Sequence, residues 1–119
     1  MTINIFFDGS PEKAVLYVVE GGQEVKDGLR IEYEHDILPS DSLQQEYFAF
    51  KKAIEYAPKD STVNFLTDSI SIVAHMNSWN WIPPNMTISG LYHTALELIE
   101  SKNLIYRVYW CDRNFNLAG

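Results

Sequence analysis

The feature that most constrains the fold is the opening run Ile3-Asn4-Ile5-Phe6-Phe7, which stops at Asp8-Gly9-Ser10. A β-rich apolar run with little polar alternation reads as a central strand covered on both faces. Asp8-Gly9 breaks it. Asp8 therefore falls at the carboxyl end of a central strand, the edge where open α/β sheets place their sites. The plainer alternative is that Asp8 is a good turn-former opening a loop.

The same pattern returns twice. Residues 62–67 form an apolar run ending at Asp68-Ser69, and residues 104–111 form another ending at Asp112. Between the first and second runs, residues 14–20 predict a strand closed by Gly21-Gly22. Residues 29–35 alternate apolar and polar, as a half-exposed strand does. Short connections make the first three strands an antiparallel meander. A helix is predicted over about 43–57, with Ser42 and Gln45 spaced as a capping box and Pro58 beyond its end. Asp68 or Ser69 caps a short helix over 70–76. A loop over 77–85 carries Trp79 and Trp81, read as packing residues, and 86–101 is a second long helix. The order is β-β-β-α-β-α-α-β, one α/β domain over 1–119. A strand that follows a crossover helix lies parallel to a strand of the same sheet. The expected sheet is thus mixed and five-stranded: three antiparallel strands, then two parallel to the first, flanked by helices.

The first helix carries its apolar stripe on Leu43, Tyr47, Phe50, Ile54 and Ala57. Glu46 lies three residues after Leu43 and four before Phe50, at the rim of that stripe. A carboxylate on the core side is costly without compensation. Glu46 needs a partner, a metal ion or an open groove, unless it reaches solvent at the rim. If the first and fourth strands are parallel neighbours, Asp8 and Asp68 lie side by side, and Glu46 can reach the same place. Three clustered carboxylates repel unless cations neutralise them. An all-oxygen set is hard and suits Mg2+ or Mn2+, and two such ions about 4 Å apart can clamp a displacement at phosphorus.

Charge and cysteine content narrow the remaining classes. Sixteen acidic against nine basic residues give a net charge of −7. That argues against a broad basic face gripping nucleic acid, although divalent ions can bring an acidic site to phosphate. The single cysteine, Cys111, excludes an internal disulfide or a cysteine metal cluster and suits a reducing, cytoplasmic compartment. No signal peptide and no membrane-length apolar run are evident.

Four motifs resemble the type 1 ribonuclease H family. Asp8-Gly9-Ser10 follows the first strand. Glu46-Tyr47-Phe48-Ala49, with Ala53 beyond, matches Glu-x-x-Ala-x-x-x-Ala on the first helix. Thr67-Asp68-Ser69 with Ile72-Val73 matches the motif after the fourth strand. Trp110 and Arg113-x-x-Asn116-x-Ala118 match the tail. The resemblance covers nearly the whole chain in the right element order. It implies the ribonuclease H-like fold, with Asp8, Glu46 and Asp68 as ligands of two Mg2+ or Mn2+ ions. It also implies hydrolysis of the RNA strand of RNA–DNA hybrids, recognised through 2′-hydroxyls across the minor groove. Gly9, Ser10, Ser69, Arg113 and Asn116 are the implied substrate contacts.

The chain also departs from that family. The place of its fourth carboxylate holds Gly119, leaving Asp112 as the nearest substitute, and the family's final helix is expected to be missing. Ser42-Leu43 stand where a pair of asparagines is expected. The glycine-rich segment, the basic insertion and the tail-loop histidine have no counterpart. His35, His75 and His93 read as ordinary surface or core-edge residues, and Lys51 and Lys52 as solvated charges. These departures keep a second expectation alive, a ribonuclease H-fold module that binds or assembles without cutting. A DNA-directed nuclease or integrase of the same superfamily is more distant.

Overall fold

The computed structural model describes residues 2–79 and 81–119. The strands are β1 (Thr2–Gly9), β2 (Lys13–Glu20), β3 (Leu29–Glu34), β4 (Thr62–Thr67) and β5 (Ile105–Trp110). The helices are α1 (Ser42–Tyr56), α2 (Ile70–Met76) and α3 (Met86–Ser101), and a short 3-10 turn spans Arg113–Phe115.

The strands form one sheet in the order β3-β2-β1-β4-β5. β1 pairs antiparallel with β2, and β2 with β3. β4 pairs parallel with β1 on its other side, and β5 pairs parallel with β4. The meander and the crossover strands are therefore as expected. β1 is central because every second residue, Ile3, Ile5 and Phe7, is buried. β4 answers with Val63, Phe65 and Thr67, and the parallel register sets Ile5 opposite Phe65. On the opposite face the Asn64 side chain donates to Asn4 Oδ1 at 3.0 Å. That cross-strand pair sits at matched register positions.

α1 packs on β1 and β2, α2 lies against β4 and β5, and α3 packs on α1. The core joins these layers. Phe50 of α1 is fully buried between Phe7, stacked at 5.0 Å between ring centroids, and Phe65, edge-on at 5.3 Å. The stripe on α1 keeps Tyr47, Phe50, Ile54 and Ala57 as expected but is wider than the sequence predicts. Ala49 and Ala53 are fully buried, while Leu43 is only partly so. Two small residues on the inner side let the helix axis sit close to the sheet.

Three local expectations are corrected. The cap of α1 is Asp41, not Ser42: the Gln44 amide donates to Asp41 Oδ1 at 2.8 Å, and the helix begins at Ser42. The side chain of Gln45 makes no reciprocal capping-box bond; instead Gln44 Oε1 accepts from the Ser40 amide at 3.0 Å. Trp79 is not a packing residue, being 58% exposed. Trp81 does pack, between His75 and Tyr92 at 4.2 and 4.3 Å. His75 is buried rather than peripheral; it bonds the Tyr47 hydroxyl at 2.5 Å, and burial lowers its pKa to about 4. For α2, Ser69 is the cap, accepting from the Ile72 amide. Asp68 is thereby left free of capping duty.

The cap assignment is open to measurement. Asp41→Ala removes the acceptor and is expected to lower unfolding free energy by about 1 kcal/mol, whereas Ser42→Ala leaves it nearly unchanged. Urea denaturation of both variants checks this; a loss in Ser42→Ala with none in Asp41→Ala would return the cap to Ser42.

Candidate metal centre

Each carboxylate arrives on a different element. Asp8 is the penultimate residue of β1, Asp68 directly follows β4, and Glu46 lies in the second turn of α1. Parallel pairing of β1 with β4 puts Asp8 and Asp68 at the same sheet edge. α1 brings Glu46 over that edge because its buried face is pinned by Phe50 and Ala49. One carboxylate oxygen from each of Asp8, Glu46 and Asp68 lies within 4.8 Å of the others. All three residues are partly buried and line an open cleft with Gly9, Ser10 and Arg113.

The close approach depends on Gly9. A Cβ there would overlap the Gln45 carbonyl and crowd the Glu46 amide nitrogen. Only a residue without a side chain lets the end of β1 lie against the α1 backbone. The Gly9 amide also favours charge on both Asp8 and Glu46, partly offsetting their burial.

The electrostatics are those of three carboxylates held close together and partly buried. Burial, then the charges of Asp8 and Asp68, push the Glu46 carboxyl up to about 8. Burial and Asp68 also raise Asp8, while Arg113 pulls it back. The Oε2 atom of Glu46 is buried with no hydrogen-bond partner. A buried acceptor left unpaired costs free energy, and a hard cation between the carboxylates would remove that cost and the mutual repulsion. The donor set fits: three hard oxygens, able to hold a divalent ion of the Mg2+ type.

The tail is built into the centre. Asn116 is 7% exposed, although it lies in a loop. Its Nδ2 donates to the Phe7 carbonyl at 3.1 Å and to Asp68 Oδ1 at 2.9 Å. Its Oδ1 accepts from the Ala118 amide. Asn116 therefore ties the end of β1, the side chain of Asp68 and the tail together, an orienting role the motif alone did not reveal. Asp112 is elsewhere engaged: exposed, it accepts from the Asn114 amide at 2.9 Å and does not join the carboxylate group. Ser10 and Arg113 line the cleft, whereas the Ser69 hydroxyl is spent on the α2 cap. Lys52 is drawn to Asp36 and Glu55 at 3.8 and 3.9 Å, and Lys51 is exposed.

The fold has close relatives in shape among solved structures. Ribonuclease H1 of Halobacterium salinarum superposes with a TM-score of 0.74 at 22% identity, over 100% of this chain and 92% of that one. The N-terminal ribonuclease H domain of a Mycobacterium tuberculosis protein gives 0.72 at 19%, over 100% and 93%. LC11-RNase H1, solved with an RNA/DNA hybrid, gives 0.69 at 18%, over 97% and 88%. The fold is ribonuclease H-like. No protein-family model matches the chain, and no curated protein matches it in sequence. Within the ribonuclease H-like fold, the acidic edge described above is formed by the carboxyl ends of β1 and β4 and by α1 above them.

A pH titration tests the burial of Glu46. Its folded pKa, about 8, lies above the ordinary value of 4.5. The metal-free native state thus binds more protons than the unfolded chain between those values, so stability falls as pH rises through that window. Glu46→Gln removes this loss. In EDTA, the variant is expected to gain in Tm relative to the parent between pH 5 and 8.5. A difference in Tm that stays constant over that range would contradict the raised pKa.

Proposed function

We propose that this chain is a metal-dependent endonuclease that hydrolyses the RNA strand of RNA–DNA hybrids. The observation that carries this reading is the convergence of Asp8, Glu46 and Asp68, from three separate elements, within 4.8 Å. In this reading the three hold two divalent ions, Mg2+ or Mn2+. When bound, the ions supply positive charge that acidifies an attacking water and stabilises the leaving 3′-oxygen.

The protein's part is to position. Asn116 holds the Asp68 carboxylate in one orientation through its 2.9 Å bond, and residues that orient ligands matter nearly as much as the ligands. Burial and the neighbouring carboxylates raise the Glu46 pKa to about 8, so Glu46 would have to give up a proton to serve as a ligand, and affinity for an ion would rise with pH. Arg113 lies near enough to Asp8 to offset part of the rise in its pKa and lines the same cleft, so its guanidinium is available to a phosphate that approaches the carboxylates. The Gly9-Ser10 turn forms another wall, and the Ser10 hydroxyl, bonded to the Lys13 backbone at 3.2 Å, is the group there that could exchange to a ribose 2′-hydroxyl. Readout of that kind discriminates RNA from DNA without reading sequence.

A second reading, a ribonuclease H-fold module that binds without cutting, has its own support. Asp112 is committed to its own turn, and Gly119 stands at the tail position where the fourth acid is expected. The two readings part on one experiment. Labelled RNA–DNA hybrid, RNA duplex and DNA duplex are incubated with Mg2+ or Mn2+. Cleavage is expected for the hybrid's RNA strand alone, and Asp8→Asn or Asp68→Asn is expected to lower the rate by more than about 100-fold. No cleavage in either metal at high enzyme would reject the nuclease. Cleavage of duplex DNA at a comparable rate would move the activity to another branch of the fold.

A further inference from the structure

His35 stands outside the carboxylate group and belongs to none of the motifs, yet it bridges the two elements that flank the cleft. Its Nε2 lies 2.7 Å from the Ser10 carbonyl, across 25 positions of chain. The acceptor is a carbonyl, so Nε2 carries the hydrogen and donates. The ring meets Phe48 of α1 edge-on, with centroids 5.5 Å apart. One face of this histidine thus touches the turn after β1, and the other touches the helix that bears Glu46.

The carboxylates do not need this bridge. Asp8 is held by the ladder with β2, opposite Val15, and Glu46 by the buried face of α1. The turn beyond Asp8 is different. Apart from the His35 bond, Ser10 bonds within its own turn, to Lys13, and Pro11 and Glu12 are exposed. The His35 bond ties the Ser10 end of that turn to a distant part of the chain, while Lys13 at its other end reaches Glu32.

We propose that His35 is a positioning residue for the nucleic-acid strand: it pins the Ser10 side of the cleft wall against α1, so that hybrid binding depends on it while the metal centre does not. This rests on the hybrid-cleavage reading for the identity of the ligand. The bond and the ring contact are separable by substitution. Gln places an amide nitrogen near the position of Nε2, Phe keeps a ring without a donor, and Ala keeps neither.

The test measures hybrid affinity by fluorescence anisotropy in Ca2+, KM and kcat in Mg2+, and Mn2+ binding by calorimetry. His35→Ala and His35→Phe are expected to weaken hybrid affinity and raise KM by about five- to tenfold, the loss expected for one hydrogen bond, with kcat and Mn2+ affinity within about twofold of the parent. His35→Gln is expected to restore most of the loss. Parental affinity in the Phe variant, or Mn2+ affinity falling in step with hybrid affinity, would overturn the proposal. If the parent binds hybrid without cutting it and the variants weaken that binding, the positioning role stands and the nuclease reading falls. If the parent does not bind hybrid, both fall.

Discussion

Parallel pairing of β1 with β4 is the constraint on which the rest depends. It sets Ile5 opposite Phe65 and Phe6 opposite Leu66, and so makes the carboxyl ends of the two strands neighbours. A parallel pair cannot be closed by a tight turn; it requires a crossover. That crossover contains α1, and its inner face is sealed to the pair by Phe50 between Phe7 and Phe65. The packing that stabilises the crossover therefore also delivers Glu46 to the edge. A one-residue slip in the β1–β4 register would send Ile3, Ile5 and Phe7 to the opposite face. The Asn4–Asn64 pair adds a polar penalty against that slip on the far side.

Bringing three carboxylates together works against folding, and the molecule shows where that cost is met. Glu46 has a buried oxygen without a partner and a pKa near 8. Arg113 and the Gly9 amide relieve Asp8 in part. The remaining strain is carried by the core, which has no comparable conflict: the inner residues of β1, β4 and α1 are apolar apart from Thr67, whose hydroxyl accepts from the Ser69 amide. Locally unfavourable charge held by an otherwise consistent scaffold is the expected signature of a functional site rather than of a structural one.

Much of this was legible in the residues, for physical reasons that differ by element. The central strands were readable because a run such as Ile3–Phe7 has little other use, and α1 because its stripe repeats at helical spacing. The convergence of Asp8 and Asp68 followed from the crossover rule, and Glu46 from its place at the rim of an apolar stripe. The cap of α1 was misplaced because Asp41 and Ser42 are both good capping residues, and backbone angles decide between neighbours. The burial of Ala49 and Ala53 was missed because alanine contributes little to an apolar stripe although it sets how closely a helix can lie. Asp112 could be proposed as a ligand from its place after β5, but side-chain direction in a short turn is not encoded in strand periodicity. His35 is tied by one long-range hydrogen bond and Asn116 by two, and such bonds leave no periodic trace.

Asn116 shows how the tail enters this balance. An amide side chain that is almost wholly buried must find partners for two donors and an acceptor, and here the Phe7 carbonyl, Asp68 and the Ala118 amide supply them. Its bond to Asp68 comes from a neutral donor, so it orients one carboxylate oxygen without cancelling the charge the site needs. A lysine in its place would neutralise Asp68 and compete with a cation. A residue without a donor would leave the Phe7 carbonyl short of a partner and the Asp68 side chain free to turn away from Asp8. The requirement is for direction without charge, and an amide is the side chain that meets it.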